Sequence, residues 1–252
     1  MEEKIKSYWE KRAKTYGLLD DVKSKRTAYK IVNQIKKFGL NKGDFILDVG
    51  CGEGLITRVI RDNIRDSIVL GVDISERMIK KAKRLERKFL KFYVSDFFDM
   101  SFDKACDLIT MNLVLHHLIR GDDKRALSHA YSFISEEGWI LISEAVPPED
   151  NIYDYYKDIF SFKEERNCYL VSDLRNLLRV AGFHSVESFT FRFNIRLSSW
   201  LNDETLSERR RNILYDMHVN GSNRFKKAYK MESIGNGDYI LSCKMAVVFG
   251  RK

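Results

Sequence analysis

The sequence predicts an α/β fold: a mostly parallel sheet with helices on both faces. Three observations carry this prediction. Apolar helices alternate with short apolar runs between about residues 27 and 145, and a glycine-rich turn joins the first run to the helix after it. The two prolines, Pro147 and Pro148, then end the alternation, because proline gives no donor to a sheet ladder. With 252 residues, 44% of them apolar and 32% charged, the chain has the material for one enlarged domain. We read residues 1–252 as a single unit: N-terminal helices over 1–40, a core over 41–146, and a second half, 147–252, that completes the sheet and adds a cap.

The elements follow in order. Ala28, Ile31, Ile35 and Phe38 recur at the helical period, and Gly39 is placed to terminate that helix. FILDVG is a first buried strand, and the helix beyond the turn carries Leu55, Ile56, Val59 and Ile60. SIVLGVD gives a second strand, followed by a helix from Ser75, then FLKFYVSD and CDLITMN as third and fourth strands. A helix with Ala126, Leu127, Ala130 and Ile134 leads to WILISEAV. Past the prolines, an aromatic stretch from Tyr153 to Phe162 precedes a helix over Ser172 to Ala181, closed by Gly182, and SVESFTFRF is a further strand. Residues 194–238 read as helical in parts, since so long a charged stretch does not stay unstructured inside a compact domain. YILSCKMAVVFG closes the sheet.

Composition excludes several classes. No apolar run approaches the ~20 residues that cross a bilayer. The start, MEEKIKSYWEKRAK, is charged where a signal peptide needs an apolar stretch, so a cytoplasmic address is expected. Cys51, Cys106, Cys168 and Cys243 form no C-x-x-C pair, and neither a metal site nor a disulfide framework is expected. The formal charge of +8 raises nucleic acid as a partner. The densest basic run, Lys80 to Lys91, also reads as an amphipathic helix that turns Met78, Ala82, Leu85 and Phe89 inward and leaves its cations solvated. A small-molecule partner is therefore preferred.

The chemistry concentrates at the ends of the early strands. Asp48, Gly50, Gly52 and Gly54 sit where the first strand turns into a helix, and bare glycines let a ligand approach the backbone. Asp73 ends the second strand, roughly twenty residues on, the usual station for a carboxylate that accepts from ribose hydroxyls. Asp96 ends the third. Acids at three successive strand ends converge on the carboxyl edge of the sheet, where open α/β folds bind ligands. They suit a ligand with an amine, a diol and an adenine. An NAD-dependent dehydrogenase is the rival, but Asp48 just before the first glycine would repel a pyrophosphate.

ILDVGCGEG, GVDIS, VSDFF and CDLITMNLVLHHL together resemble, motif by motif over about residues 30–145, the class I S-adenosylmethionine-dependent methyltransferases. YWEKRAKTYG is similar to the leading segment of that family's small-molecule (type 11, quinone and metabolite) branch, and Trp200 after an aromatic strand resembles its tail. The resemblance implies a Rossmann-like sheet of seven strands with the last antiparallel, helical cap insertions in the second half, and in-line methyl transfer to a small acceptor. The implied cofactor is S-adenosyl-L-methionine, with S-adenosyl-L-homocysteine as product.

Carried over by motif, the resemblance implies that Gly50, Cys51 and Gly52 pack the methionine portion, with Asp48 near its amino group. Asp73 would hold the ribose, Ile74 and Met78 would flank the adenine, and Ser95, Asp96 and Phe97 would meet its edge. Asn112 and Leu113 would pass below the sulfonium, and Arg12 and Tyr16 would close over the carboxylate. His116 and His117, just past the fourth strand, are candidate general bases, with Glu144 a further acid/base or substrate-binding candidate. Tyr153, Tyr155, Tyr156, Phe160, Phe162, Phe191, Phe193 and Trp200 are candidates for a water-excluding lid. Two alternatives stand beside this reading: an acceptor that is RNA or an acyl-carrier-type acidic macromolecule, and a non-catalytic cofactor-binding regulatory module. MNLV in place of an N-P-P-Y-like run after the fourth strand disfavours methylation of a base nitrogen.

Overall fold

Strand β1 (Phe45–Val49), four of whose five residues are buried, pairs on both sides and sets the sheet around it. A computed structural model describes residues 2–12, 25–40, 43–101 and 103–252, with the side chains of 2–5 and 12 outside that description. The other strands are β2 (Ile68–Asp73), β3 (Leu90–Val94), β4 (Cys106–Asn112), β5 (Ile134–Val146), β6 (His184–Arg196), β7 (Glu232–Gly235) and β8 (Asp238–Arg251). Their order is β3-β2-β1-β4-β5-β8-β6, with β7 hairpinned onto β8. The first five run parallel, and β8 lies antiparallel between β5 and β6. The mostly parallel sheet with an antiparallel last strand is as the sequence implies.

Alternation along the strands separates two cores. Leu47, Ile109, Met111, Ile140 and Ile142 face helices α5 (Asp122–Phe133) and α7 (Val171–Val180), which contribute Ala126, Leu127, Ala130, Leu174 and Leu178. Ile46, Leu108, Leu141 and Val247 face α2 (Lys25–Ile35), α3 (Leu55–Asn63) and α4 (Glu76–Ala82). A third cluster lies beyond the sheet. There α6 (Tyr153–Lys163), α8 (Leu197–Leu201), α9 (Glu208–Val219) and α10 (Asn223–Ala228) gather around Tyr156, Phe160, Leu214, Phe225 and Leu241. Strands β6 and β8, 13 and 14 residues long against 5 for β1, reach into this cap and carry it. Helix α1 (Glu2–Arg12) contacts α4, with Glu10 accepting from Ser75 Oγ at 2.9 Å.

Three expectations are corrected. The helix from Ser75 does not run to Phe89. It ends at Ala82, a 3-10 turn reaches Leu85, and Phe89 sits exposed at φ 65°. The sheet claims the rest: Leu90 and Phe92 are fully buried, and the Glu86 carboxylate accepts from Phe92 N at 3.0 Å. The cations of Lys80 to Lys91 therefore do not share one helix face. Second, Ile134 opens β5 opposite Cys106 instead of closing α5. Third, the 194–238 stretch holds an extra strand as well as helices, because Gly235, Asn236 and Gly237 all have positive φ and close the β7–β8 hairpin.

Among the described residues no helix is long and apolar enough to cross a membrane, and no group of three His, Cys, Asp or Glu is placed to hold a metal. The Phe92 ring fills the space that Gly71 leaves. A Cβ on Gly71 would come within 2.7 Å of that ring and 3.0 Å of Cys51 Sγ. Gly71→Ala is expected to lower stability by about 1–3 kcal/mol in urea denaturation, by overpacking. An unchanged midpoint would show that Phe92 can move aside.

Candidate active site

The turn after β1 takes three left-handed glycines, Gly50, Gly52 and Gly54, at φ 66°, 54° and 80°. A side chain at Gly50 would run into Val114. Cys51 N donates to Val72 O at 2.9 Å, which ties the turn to β2. At the end of β2, Asp73 accepts from Gly52 N and from Ser75 N, both at 2.9 Å, one on each oxygen. A carboxylate accepts about four hydrogen bonds, so two remain for a ligand. Burial raises the Asp73 pKa. At the end of β3, Asp96 accepts from Phe98 N at 2.9 Å and caps a short 3-10 turn.

These residues border a cleft of about 270 Å³. Gly50, Gly52, Asp73, Ile74, Met78, Ser95, Asp96, Phe97, Asn112 and Leu113 all line it, and so does His117. Asp48 and Cys51 instead line a second cavity of about 330 Å³, which shares Gly50, Gly52, Asn112 and Leu113 with the first. The Arg12 side chain and Tyr16 lie outside the described residues.

Asp48 sits beneath the turn, 1% exposed. It accepts from Thr57 Oγ1 at 2.6 Å, Thr110 Oγ1 at 2.7 Å and Asn112 Nδ2 at 3.3 Å. Burial pushes its carboxyl up to about 6, and the three hydrogen bonds offset only part of that. Asn112 Oδ1 in turn accepts from Ser143 Oγ at 2.7 Å, and Ser143 O accepts from Leu113 N at 2.8 Å. Leu113 stands at φ 57°, a strained conformation for leucine that this network holds.

A third cavity, of about 140 Å³, lies between the sheet edge and the cap and meets the cleft at Trp9, Leu113 and His117. His116 lines it, with its Nδ1 2.6 Å from Oε2 of Glu144, a residue with no exposed surface. The His116 backbone N also donates to Glu144 Oε1 at 3.4 Å. Of the lid aromatics, Tyr156, Phe160, Phe193 and Trp200 line the cavity. The others do not: the Tyr153 and Tyr155 hydroxyls donate to Cys168 O and Met217 O, Phe162 is exposed, and Phe191 joins the α2 core. The helical period explains the division in α6, since Tyr156 and Phe160 share a face that Phe162 does not.

Among the residues at this cavity that sequence reasoning missed are Tyr8, Trp9, Lys163, Glu164 and Arg166. Tyr8 OH donates to Glu164 Oε2 at 2.9 Å, and Arg166 Nη1 donates to Glu164 Oε1 at 3.2 Å. Burial alone would raise the Glu164 pKa, but His117, Arg166 and His116 nearby more than offset it and hold the carboxyl well below the usual range. Lys163 Nζ lies 3.5 Å from Asp203 and 4.1 Å from the Trp200 ring centroid. One signal was available. Tyr156, Ile159, Phe160 and Lys163 form an i, i+3, i+4, i+7 stripe, so the lysine belongs to the buried face.

Residues 47–142 match the family model described as the methyltransferase domain. Over that span the chain is similar to a methyltransferase domain. The matched span contains the glycine turn, Asp73, Asp96, Leu113 and both histidines, and it stops before Glu144 and the cap. The chain is similar, at 31% identity over 172 residues, to an uncharacterized protein of Methanocaldococcus jannaschii, a match covering 65% of this chain and 61% of that one. It spans between 39% and 61% of the length of the first curated relatives it matches. Among solved structures, its fold is similar to that of the YcgJ protein of Bacillus subtilis (TM-score 0.74, 18% identity, 89% of this chain and 98% of that one). It is also similar to magnesium protoporphyrin IX methyltransferase from Synechocystis with bound S-adenosylhomocysteine (TM-score 0.60, 16% identity, 100% and 99%).

The Asp48 pKa gives this domain a pH signature. Its folded value of about 6 stands above the ordinary 3.8. The stabilisation this group contributes is therefore complete below the ordinary value and is lost as pH rises through the folded one. Asn at this position imitates the protonated form. Asp48→Asn should gain up to about 3 kcal/mol relative to wild type between about pH 4 and pH 7.5, read by urea denaturation at both ends. A constant difference across that range would show that Asp48 titrates normally.

Proposed function

We propose that the protein is an S-adenosyl-L-methionine-dependent methyltransferase that acts on a small acceptor. The observation that carries this reading is the meeting of two cavities at Leu113, His117 and Trp9. One is a nucleoside-sized cleft with an open glycine backbone and a carboxylate with lone pairs to spare; the other is an aromatic-walled chamber with a buried histidine–carboxylate pair. The cofactor, when bound, supplies a methyl group already activated on a cationic sulfonium.

The chain's own residues then bind, orient and exclude water. Asp73 accepts the ribose hydroxyls with its two remaining lone pairs, Ile74 and Met78 pack the adenine faces, and Ser95, Asp96 and Phe97 bound its edge. Gly50 and Gly52 keep side chains away from the methionine portion. Asp48 acts from behind the turn by holding Asn112, and Asn112 with Ser143 holds Leu113. The Glu144 carboxylate fixes the His116 tautomer with Nδ1–H toward it, which leaves Nε2 as the lone-pair nitrogen able to take a proton from an acceptor hydroxyl or amine. Tyr156, Phe160, Phe193 and Trp200 keep the chamber dry, which favours a reaction that neutralises charge.

The small size of the chamber supports a small acceptor over a macromolecule. So does the basic run, whose Lys81, Arg87 and Lys91 pair with Glu53, Asp62 and Glu86. Two measurements test the reading. In calorimetry, Asp73→Ala is expected to weaken S-adenosylhomocysteine binding roughly 10- to 100-fold, the worth of hydrogen bonds to a charged group; undiminished affinity would remove Asp73 from the site. In single-turnover transfer to any acceptor the wild type methylates, His116→Ala is expected to slow the step roughly 10²- to 10⁴-fold with cofactor affinity unchanged. An unchanged rate would eliminate His116 as the base.

A further inference from the structure

The third cavity holds a cation with a bond left to make. The Arg166 side chain is 6% exposed. Its Nε donates to Asn167 O and its Nη1 to Glu164 Oε1, each at 3.2 Å, and its plane lies over the Phe160 ring at 4.2 Å. Nη2 is buried and has no acceptor among the described residues. A guanidinium cannot shed its proton in a protein, so these N–H groups cannot escape the penalty by neutralising. Leaving a buried donor unpaired costs roughly 1–3 kcal/mol, and more for a charged one. Arg61 and Arg211 also have an unpaired buried nitrogen, but in each it is Nε, and neither residue lines any of the three cavities.

The other charges around the chamber have partners. Glu144 is engaged by His116, Lys163 lies against Asp203, and Glu164 accepts from both Tyr8 and Arg166. The donor left over is therefore positive. It is also held in place by two hydrogen bonds and a ring contact, so a ligand need not order it. The chamber, about 140 Å³ and walled by Tyr156, Phe160, Phe193 and Trp200, approaches the roughly 150 Å³ cavity that admits benzene.

We propose that the methyl acceptor is a molecule of about one ring in size that carries an oxyanion, and that Arg166 Nη2 recognises this oxyanion inside the chamber. The proposal rests on the methyltransferase reading and names the substrate class of the same site. A neutral carbonyl would satisfy the hydrogen bond but add no charge of its own beside the Glu164–Arg166 pair. A carboxylate or phosphate accepts the same bond and adds Coulomb attraction to the guanidinium, which a buried chamber screens little.

The test uses the full chain saturated with S-adenosylhomocysteine and three probes read by ligand-observed NMR titration: benzoate, phenyl phosphate and the neutral benzamide. At least one anion is expected to bind tenfold or more tightly than benzamide, and which one does so distinguishes a carboxylate acceptor from a phosphorylated one. Arg166→Met is expected to abolish that preference, and Arg166→Lys to retain part of it, while both keep wild-type affinity for S-adenosylhomocysteine. The proposal is overturned if benzamide binds as well as both anions, if neither anion binds, or if Arg166→Met keeps the preference. Should Arg166→Met fail to fold, the wild-type comparison and the lysine variant decide it. Failure to bind S-adenosylhomocysteine at all would overturn the methyltransferase reading itself, whereas binding it without any preference among the probes overturns this proposal alone.

Discussion

The Asp48 carboxylate is buried, and its three donors arrive from two elements that must meet for the site to exist. Thr57 comes from α3, while Thr110 and Asn112 come from β4. This one group therefore locks the strand before the glycine turn, the helix after it and the neighbouring strand whose end carries Leu113. Through Asn112 and Ser143 the same network reaches β5. A buried carboxylate is expensive, and a fold keeps one where its hydrogen bonds fix a geometry that apolar packing would leave loose. Here that geometry is the floor of the cleft.

From that floor the molecule divides its tasks by strand length. The short strands β1 to β3 stop at the cleft and present Gly50, Asp73 and Asp96 at or just past their ends, on a rigid edge. The long strands β5, β6 and β8 continue past it and support α6 and α8 to α10. Helix α1 bridges the two regions. Its Glu10 bonds Ser75 next to the cleft, its Tyr8 bonds Glu164 in the cap, and its Trp9 meets His117 edge-on at a centroid distance of 4.7 Å. The buried ionic groups cluster between these regions, at His116–Glu144, Glu164–Arg166 and Lys163–Asp203. Paired charges in an interior contribute little net stability and more often mark a place where chemistry or recognition needs them.

The cleft was readable because the motifs that build it are each local in sequence: a turn and two strand ends, recognisable from glycine spacing and from aspartates that follow apolar runs. The acceptor chamber was not. Glu144 and His116 stand 28 residues apart and Tyr8 and Glu164 stand 156 apart, and no pattern within either segment foretells the pairing. The charged run at the end of α6 matches no motif, and its only local clue is the helical stripe ending in Lys163. The misplaced end of the helix after Ser75 has a similar cause. Met78, Ala82, Leu85 and Phe89 fit the helical period, but the demand of β2 for a partner with Leu90 and Phe92 inside overrode it.

By itself the sequence determined the alternation of strands and helices, the glycine turn and the acids at the strand ends. These follow from side-chain periodicity and backbone freedom, which act over a few residues. The tertiary structure decided that Asp48 turns away beneath the turn, that Glu144 lies behind His116, and that Arg166 enters a chamber roofed by distant helices. Each of those outcomes depends on which surfaces the packed layers leave facing one another, and the free energy that selects such contacts comes from burying elements far apart in the chain.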